Sequence, residues 1–155
     1  MIDVALEFLR DMVDQFLRKQ LTAGESMAIL NSLIDTNGSI PPSNQNKIIL
    51  TLINIRKESV FNLPVGSPRP ETYRASLLVT ANFDNYSEGL KYLTAALQFF
   101  QQNPLFAQPA FPKFPPGMQE IKLTMENISY QELHLLWTAM GTRYQPSAIY
   151  QLTLI

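Results

Sequence analysis

The chain has 155 residues, of which 46% are hydrophobic and 16% charged, a normal apolar content with a charged share well below the usual quarter. Its 12 basic and 13 acidic residues give a net charge of -1 without any basic run, which leaves little to neutralise phosphates and speaks against nucleic acid as a partner. The absence of cysteine removes disulfides, thiolate zinc sites and cysteine nucleophiles together. The length suits one domain over 1–155. Few charges leave a neutral surface that suits a subunit buried among neighbours.

Residues 2–20 read as an amphipathic helix. Ile2, Ala5, Leu6, Leu9, Val13, Phe16 and Leu17 recur at steps of three and four. Asp3, Glu7, Asp11, Asp14 and Arg18 mark the opposite, solvated face. Those charges break any apolar core near the start, so the opening reads as a helix and not as a signal peptide. No stretch approaches the roughly 18 apolar residues of a membrane span.

Residues 26–34 are short and apolar and read as a strand. A turn-rich loop follows, Asn37-Gly38-Ser39-Ile40-Pro41-Pro42-Ser43-Asn44. Residues 46–56 are apolar on both faces and are expected to form a central strand. There Ile49, Thr51, Ile53 and Ile55 alternate with Ile48, Leu50, Leu52 and Asn54. The stretch 62–72, with Pro64, Gly66, Pro68 and Pro70, is expected to be a loop, and 73–83 the next strand. Residues 86–102 read as a helix with Leu90, Leu93, Leu97 and Phe100 on its inner face. Asn85 and Glu88 resemble a capping box at its start.

The segment 104–116 holds five prolines among thirteen residues, which excludes a helix or a central strand. Residues 119–127 alternate as a half-buried strand. Ser129 and Glu132 cap a third helix over 130–140, which Gly141 can end. Residues 147–154 form the last strand. The order predicts an α+β fold with one mixed sheet of about five strands packed by three helices.

No constellation for chemistry emerges. His134 is the only histidine and has no carboxylate at a ligand-like spacing, so it reads as a surface residue. Asp11 and Asp14 are three apart, with Arg10 and Arg18 nearby to balance them. There is no glycine-rich phosphate loop and no nucleophile elbow. No catalytic residue, metal or cofactor is therefore expected. Trp137, among Leu133, Leu136 and Met140, is expected in the core. The two long loops, around 37–46 and 104–116, are expected at subunit or tube interfaces, through Asn37, Ile40 and Asn44 in the first and Leu105, Phe106, Phe111 and Phe114 in the second. For the proline-rich segment two readings stand side by side: a loop draped over its own core, or an apolar arm for a neighbour.

Four segments in order carry a resemblance. They are MIDVALEFLRDMVDQFLR, NKIILTLINIRKE, ANFDNYSEGLKYLTAALQFFQ and LHLLWTAMGTRYQPSAIYQLTL, the last with Leu136-Trp137, Gly141, Tyr144, Pro146-Ser147 and Tyr150 at the family's spacing. Together they resemble the N-terminal domain of the cap, or tail-terminator, proteins of extracellular contractile injection systems, those of antifeeding prophages and virulence cassettes. The resemblance implies a tail-terminator-like fold and a structural role: a six-fold ring on the inner-tube end distal to the baseplate that stops tube growth. The implied partners are further copies of the chain, the inner-tube protein and the terminal sheath layer, with no nucleic acid and no membrane. The implied location is the cytoplasm during assembly, then the released particle. Longer members carry more chain after this domain. The alternative readings are a transient adaptor or assembly chaperone of the same machinery, and a small enzyme.

Overall fold

The computed structural model describes residues 1–58, 65–66 and 72–155. The loop expected over 62–72 falls outside these apart from residues 65, 66 and 72. The elements are α1 (Ile2–Gln20), β1 (Ala28–Leu30), a 3-10 helix (Pro42–Asn44), β2 (Lys47–Lys57), β3 (Tyr73–Asn82), α2 (Tyr86–Gln102), β4 (Leu105–Phe106), β5 (Ile121–Glu126), α3 (Tyr130–Met140) and β6 (Ser147–Leu154). One mixed sheet has the order β1-β2-β3-β6-β5-β4, six strands where about five were expected. The added strand is β4, a two-residue edge strand inside the proline-rich segment, where a lost N–H costs least. No helix among the described residues is long and apolar enough to cross a membrane.

The helices end where their caps say. Asn85 accepts from the Glu88 amide at 2.9 Å and Ser129 from the Glu132 amide at 3.1 Å. Gly141, at φ +71°, closes α3 in the left-handed conformation that a side chain disfavours. The inner face of α2 is rotated from the expected one. Tyr92, Leu93, Ala96, Phe99 and Phe100 are buried, while Leu90 is 39% exposed. The cause is Gly89, where a Cβ would meet that of Phe83 at 3.1 Å. The absent side chain lets this edge of α2 sit down on Phe83, which stacks on Tyr92 at 5.1 Å.

Helices α1 and α2 cover one face of the sheet around Ile48, Leu50, Leu77, Val79 and Leu152. On the other face α3 covers only the rows containing Ile49, Leu78 and Ile149, anchored by Trp137. Strand β2 is central over its first half, as its two apolar faces imply. A bulge between Leu52 and Asn54 then adds Ile53 to the strand. It reverses the alternation, so Ile55 pairs with Ala75 on the α1–α2 face, opposite the one expected from period two.

Strand β1 is three residues long, where nine were expected to be extended. It pairs with β2 in parallel. Parallel neighbours need a crossover of about a dozen residues or more. Residues 31–46 supply it, which is why this loop is long. Within it Leu33 packs into the second core cluster.

Asp14 corrects the reading of α1. It is not on the solvated face but 6% exposed, and its Oδ1 accepts from the amides of Met27 at 2.6 Å and Ala28 at 3.0 Å and from Ser26 Oγ at 3.1 Å. Arg10 Nε donates to the Ala28 carbonyl at 3.1 Å. Side chains of α1 thus occupy both backbone groups of Ala28. Because neighbouring Met27 and Asn31 bond towards β2, Ala28 points outwards, and the sheet edge is closed there to strand addition.

Candidate assembly surfaces

The two long loops lie at opposite ends of the strands. The first runs into Lys47, where β2 begins. The second leaves β4 at Phe106, which pairs with Ile121 and so shares a row with Leu154 and Tyr73, at the far end of the sheet.

The first loop is built from within. Asp35 Oδ1 accepts from the amides of Asn37 at 2.9 Å and Ser39 at 3.0 Å. Asn44 is fully buried; it accepts from Asn31 Nδ2 at 2.9 Å and donates to the Ser32 carbonyl at 2.8 Å. That corrects the expectation for Asn44, whose side chain ties the crossover to itself and cannot reach a neighbour. Asn37 is exposed and Ile40 is 47% exposed, so both remain available.

The proline-rich segment turns its rings inward. Phe8 of α1 meets Phe106 at 5.6 Å, Phe114 at 5.4 Å and Phe111 at 6.4 Å, all edge to face. Phe106 is 0% and Phe114 2% exposed, and Phe111 is half-buried against the same cluster. For Phe106 and Phe114 the draped-loop reading holds and the contact-arm reading is corrected, because both rings are buried within their own chain, each edge to face with Phe8. Leu105, 44% exposed, is a large apolar side chain that this stretch presents outwards.

Three further surfaces stand out, of which the charged face of α1 alone is legible in the sequence. Helix α3 buries only Trp137 and leaves Tyr130 93% and Leu135 60% exposed, with Tyr144 beside Trp137 at 5.4 Å. The buried Trp137 indole N–H and Thr80 hydroxyl have no partner among the described residues. The half of the sheet face that α3 leaves uncovered carries Arg56, Arg74 and Lys122. The outward face of α1 carries Asp3, Glu7 and Asp11. His134 is exposed on α3, and no group of three or more metal-ligating side chains forms among the described residues.

Against known proteins, the family model described as "Pvc16 N-terminal domain" matches residues 6–155. The fold is similar to that of the sheath/tube terminator of an extracellular contractile injection system, PVC, in its extended state. That match has a TM-score of 0.62 and 15% identity over 99% of this chain and 55% of the other. It is also similar to the anti-feeding prophage cap, a tube terminating cap, with a TM-score of 0.54 and 17% identity over 93% of this chain and 52% of the other. The chain thus spans about half the length of these two proteins. Among curated proteins none matches the sequence.

Proposed function

Because the chain belongs to the Pvc16 N-terminal domain family, we propose that it is the structural cap of a contractile injection tail. Its 155 residues act as one capping unit. Copies close into a six-membered ring on the inner-tube end distal to the baseplate, and the terminal sheath layer contacts the ring from outside. The observation that carries this reading is the family match over 6–155, supported by a fold shared with two tube-terminating proteins along nearly the whole chain. The work is non-covalent. A ring face complementary to the last tube layer binds it and offers no equivalent face to another layer, so growth stops without catalysis. Placement of the long loops at opposite ends of the strands supports such a division, with one end turned to the tube and the other away. Ile40 and Leu105 are exposed large apolar side chains of those loops, and one belongs to each end. Assembly takes place in the cytoplasm, and the chain leaves with the particle.

The test is polymerisation of purified inner-tube protein with and without the chain. Substoichiometric amounts should stop elongation and shorten the tubes, and native mass spectrometry should find a closed ring. Tubes of unchanged length at saturating chain would overturn the reading. A strict monomer missing from mature particles would point to an adaptor instead.

A further inference from the structure

Two charged surfaces lie on opposite sides of the molecule. On the sheet face that α3 leaves bare, register places Arg56, Arg74, Thr153, Lys122 and Leu105 in one row across five strands. All but Thr153 are exposed. Strands lie about 4.8 Å apart, so Arg56 and Lys122, three strands from one another, are about 14 Å apart. On the other side of the sheet, α1 turns its apolar stripe inwards and leaves Asp3, Glu7 and Asp11 outwards at steps of four. At 1.5 Å of rise per residue these carboxylates span about 12 Å. Three cations in a row thus face away from three carboxylates in a row of nearly equal length.

We infer that the cationic sheet row of one subunit docks on the acidic outer face of α1 in the next copy of this chain. The inference rests on the ring reading and gives it a contact. Two complementary patches on opposite sides of one molecule cannot meet within that molecule. Between copies they meet head to tail, the kind of contact that builds a ring when the rotation from copy to copy closes. The receiving surface is more than a charged stripe. Beside it a groove runs between α1 and the proline-rich segment, lined by Val4, Phe8 and Met12, with Glu7 and Asp11 at the acidic side and Lys113 also in its lining. Arginine and lysine stems suit such a groove, with their heads reaching the carboxylates. Leu105, at the end of the cationic row, adds an apolar contact to the same interface.

Existing ion pairs do not close these surfaces. Arg74 meets Glu58 at 2.7 Å and Lys122 meets Glu120 at 3.0 Å, but both cations are about half exposed, and exposed pairs exchange partners cheaply. On α1, Asp11 meets Arg10 at 2.6 Å and Asp3 the terminal amine at 3.1 Å. Glu7, between them, has no ion pair among the described residues and is the centre of the acidic face.

Two charge-reversed chains test this. One carries Asp3→Arg and Glu7→Arg, the other Arg74→Glu and Lys122→Glu. All four positions are exposed, so each chain should keep its circular dichroism and melting profile. Each alone should lose at least tenfold in ring assembly by native mass spectrometry. Mixed in equal amounts they should assemble again, since every contact of an alternating ring then pairs opposite charges. Wild-type rings should also dissociate as NaCl rises from about 0.05 to 0.5 M, where screening shortens to a few ångströms; this reads the same contact if a reversed chain fails to fold. Wild-type rings indifferent to salt and to both reversals, or single losses that mixing does not restore, overturn this contact and leave the ring reading standing. A wild-type chain that forms no ring overturns both.

Discussion

Replacing Asp14 with alanine should be among the most damaging single polar changes in the protein. Its carboxylate holds the amides of Met27 and Ala28 at 2.6 and 3.0 Å in a buried position. Alanine leaves both donors without a partner. A buried orphan donor costs about 1–3 kcal/mol, and two with partial water entry give about 3 kcal/mol. Ser26 is half-buried and regains water, so its lost bond to Asp14 adds little. For a domain of this size, about 3 kcal/mol lowers Tm by roughly 6–12 °C. Asp14→Asn keeps an acceptor oxygen and should lose about 1 kcal/mol. Asp11→Ala, whose side chain is exposed, should stay within about 0.5 kcal/mol. Chemical denaturation gives the three values, and hydrogen exchange should show the Met27 and Ala28 amides losing protection ahead of β3. If Asp14→Ala and Asp11→Ala lose equally, the clamp between α1 and the sheet edge does not exist.

Trp137→Ala should cost about 3 kcal/mol, the low end for a buried tryptophan, because its orphaned N–H is removed with the ring; Trp137→Phe should cost less than half as much, and equal losses in thermal melts would contradict that. Phe114→Ala should destabilise by about 3–5 kcal/mol by emptying the site beside Phe8, whereas Leu105→Ser should leave melting unchanged and weaken assembly. Burial pushes the Tyr150 hydroxyl up to about 12 from its ordinary 10.0. The native state therefore keeps this proton while the unfolded chain releases it, so stability is full below pH 10 and falls between about 10 and 12, by at most about 1.4 kcal/mol per unit. Tyr150→Phe should flatten that alkaline limb, and an unchanged slope would assign it elsewhere.

Much of the fold was legible because local chemistry and tertiary structure agree. The apolar spacing of α1, the Asn85 and Ser129 caps and the stop at Gly141 are visible in the chain and recur in the structure. The departures share one cause: they depend on what lies across from a residue. A bulge at Ile53 cannot be read from a run that alternates smoothly through it. Asp14 has the spacing of a solvated face, and only the nearness of β1 buries it. The phenylalanines of the proline-rich segment look the same in sequence whether they face Phe8 or a neighbour. The crossover over 31–46 reads as a spare loop until β1 and β2 are known to be parallel. The cationic row was illegible for the same reason, since its members come from three strands up to 66 positions apart, Arg56 to Lys122, and meet only through register.

The cap reading is tested most directly by locating the chain on intact particles. Purified injection particles carrying an epitope-tagged chain, labelled with gold and imaged by electron microscopy, should show label at one end alone, the end distal to the baseplate. Label spread along the tube, label at the baseplate, or particles that carry none would contradict it.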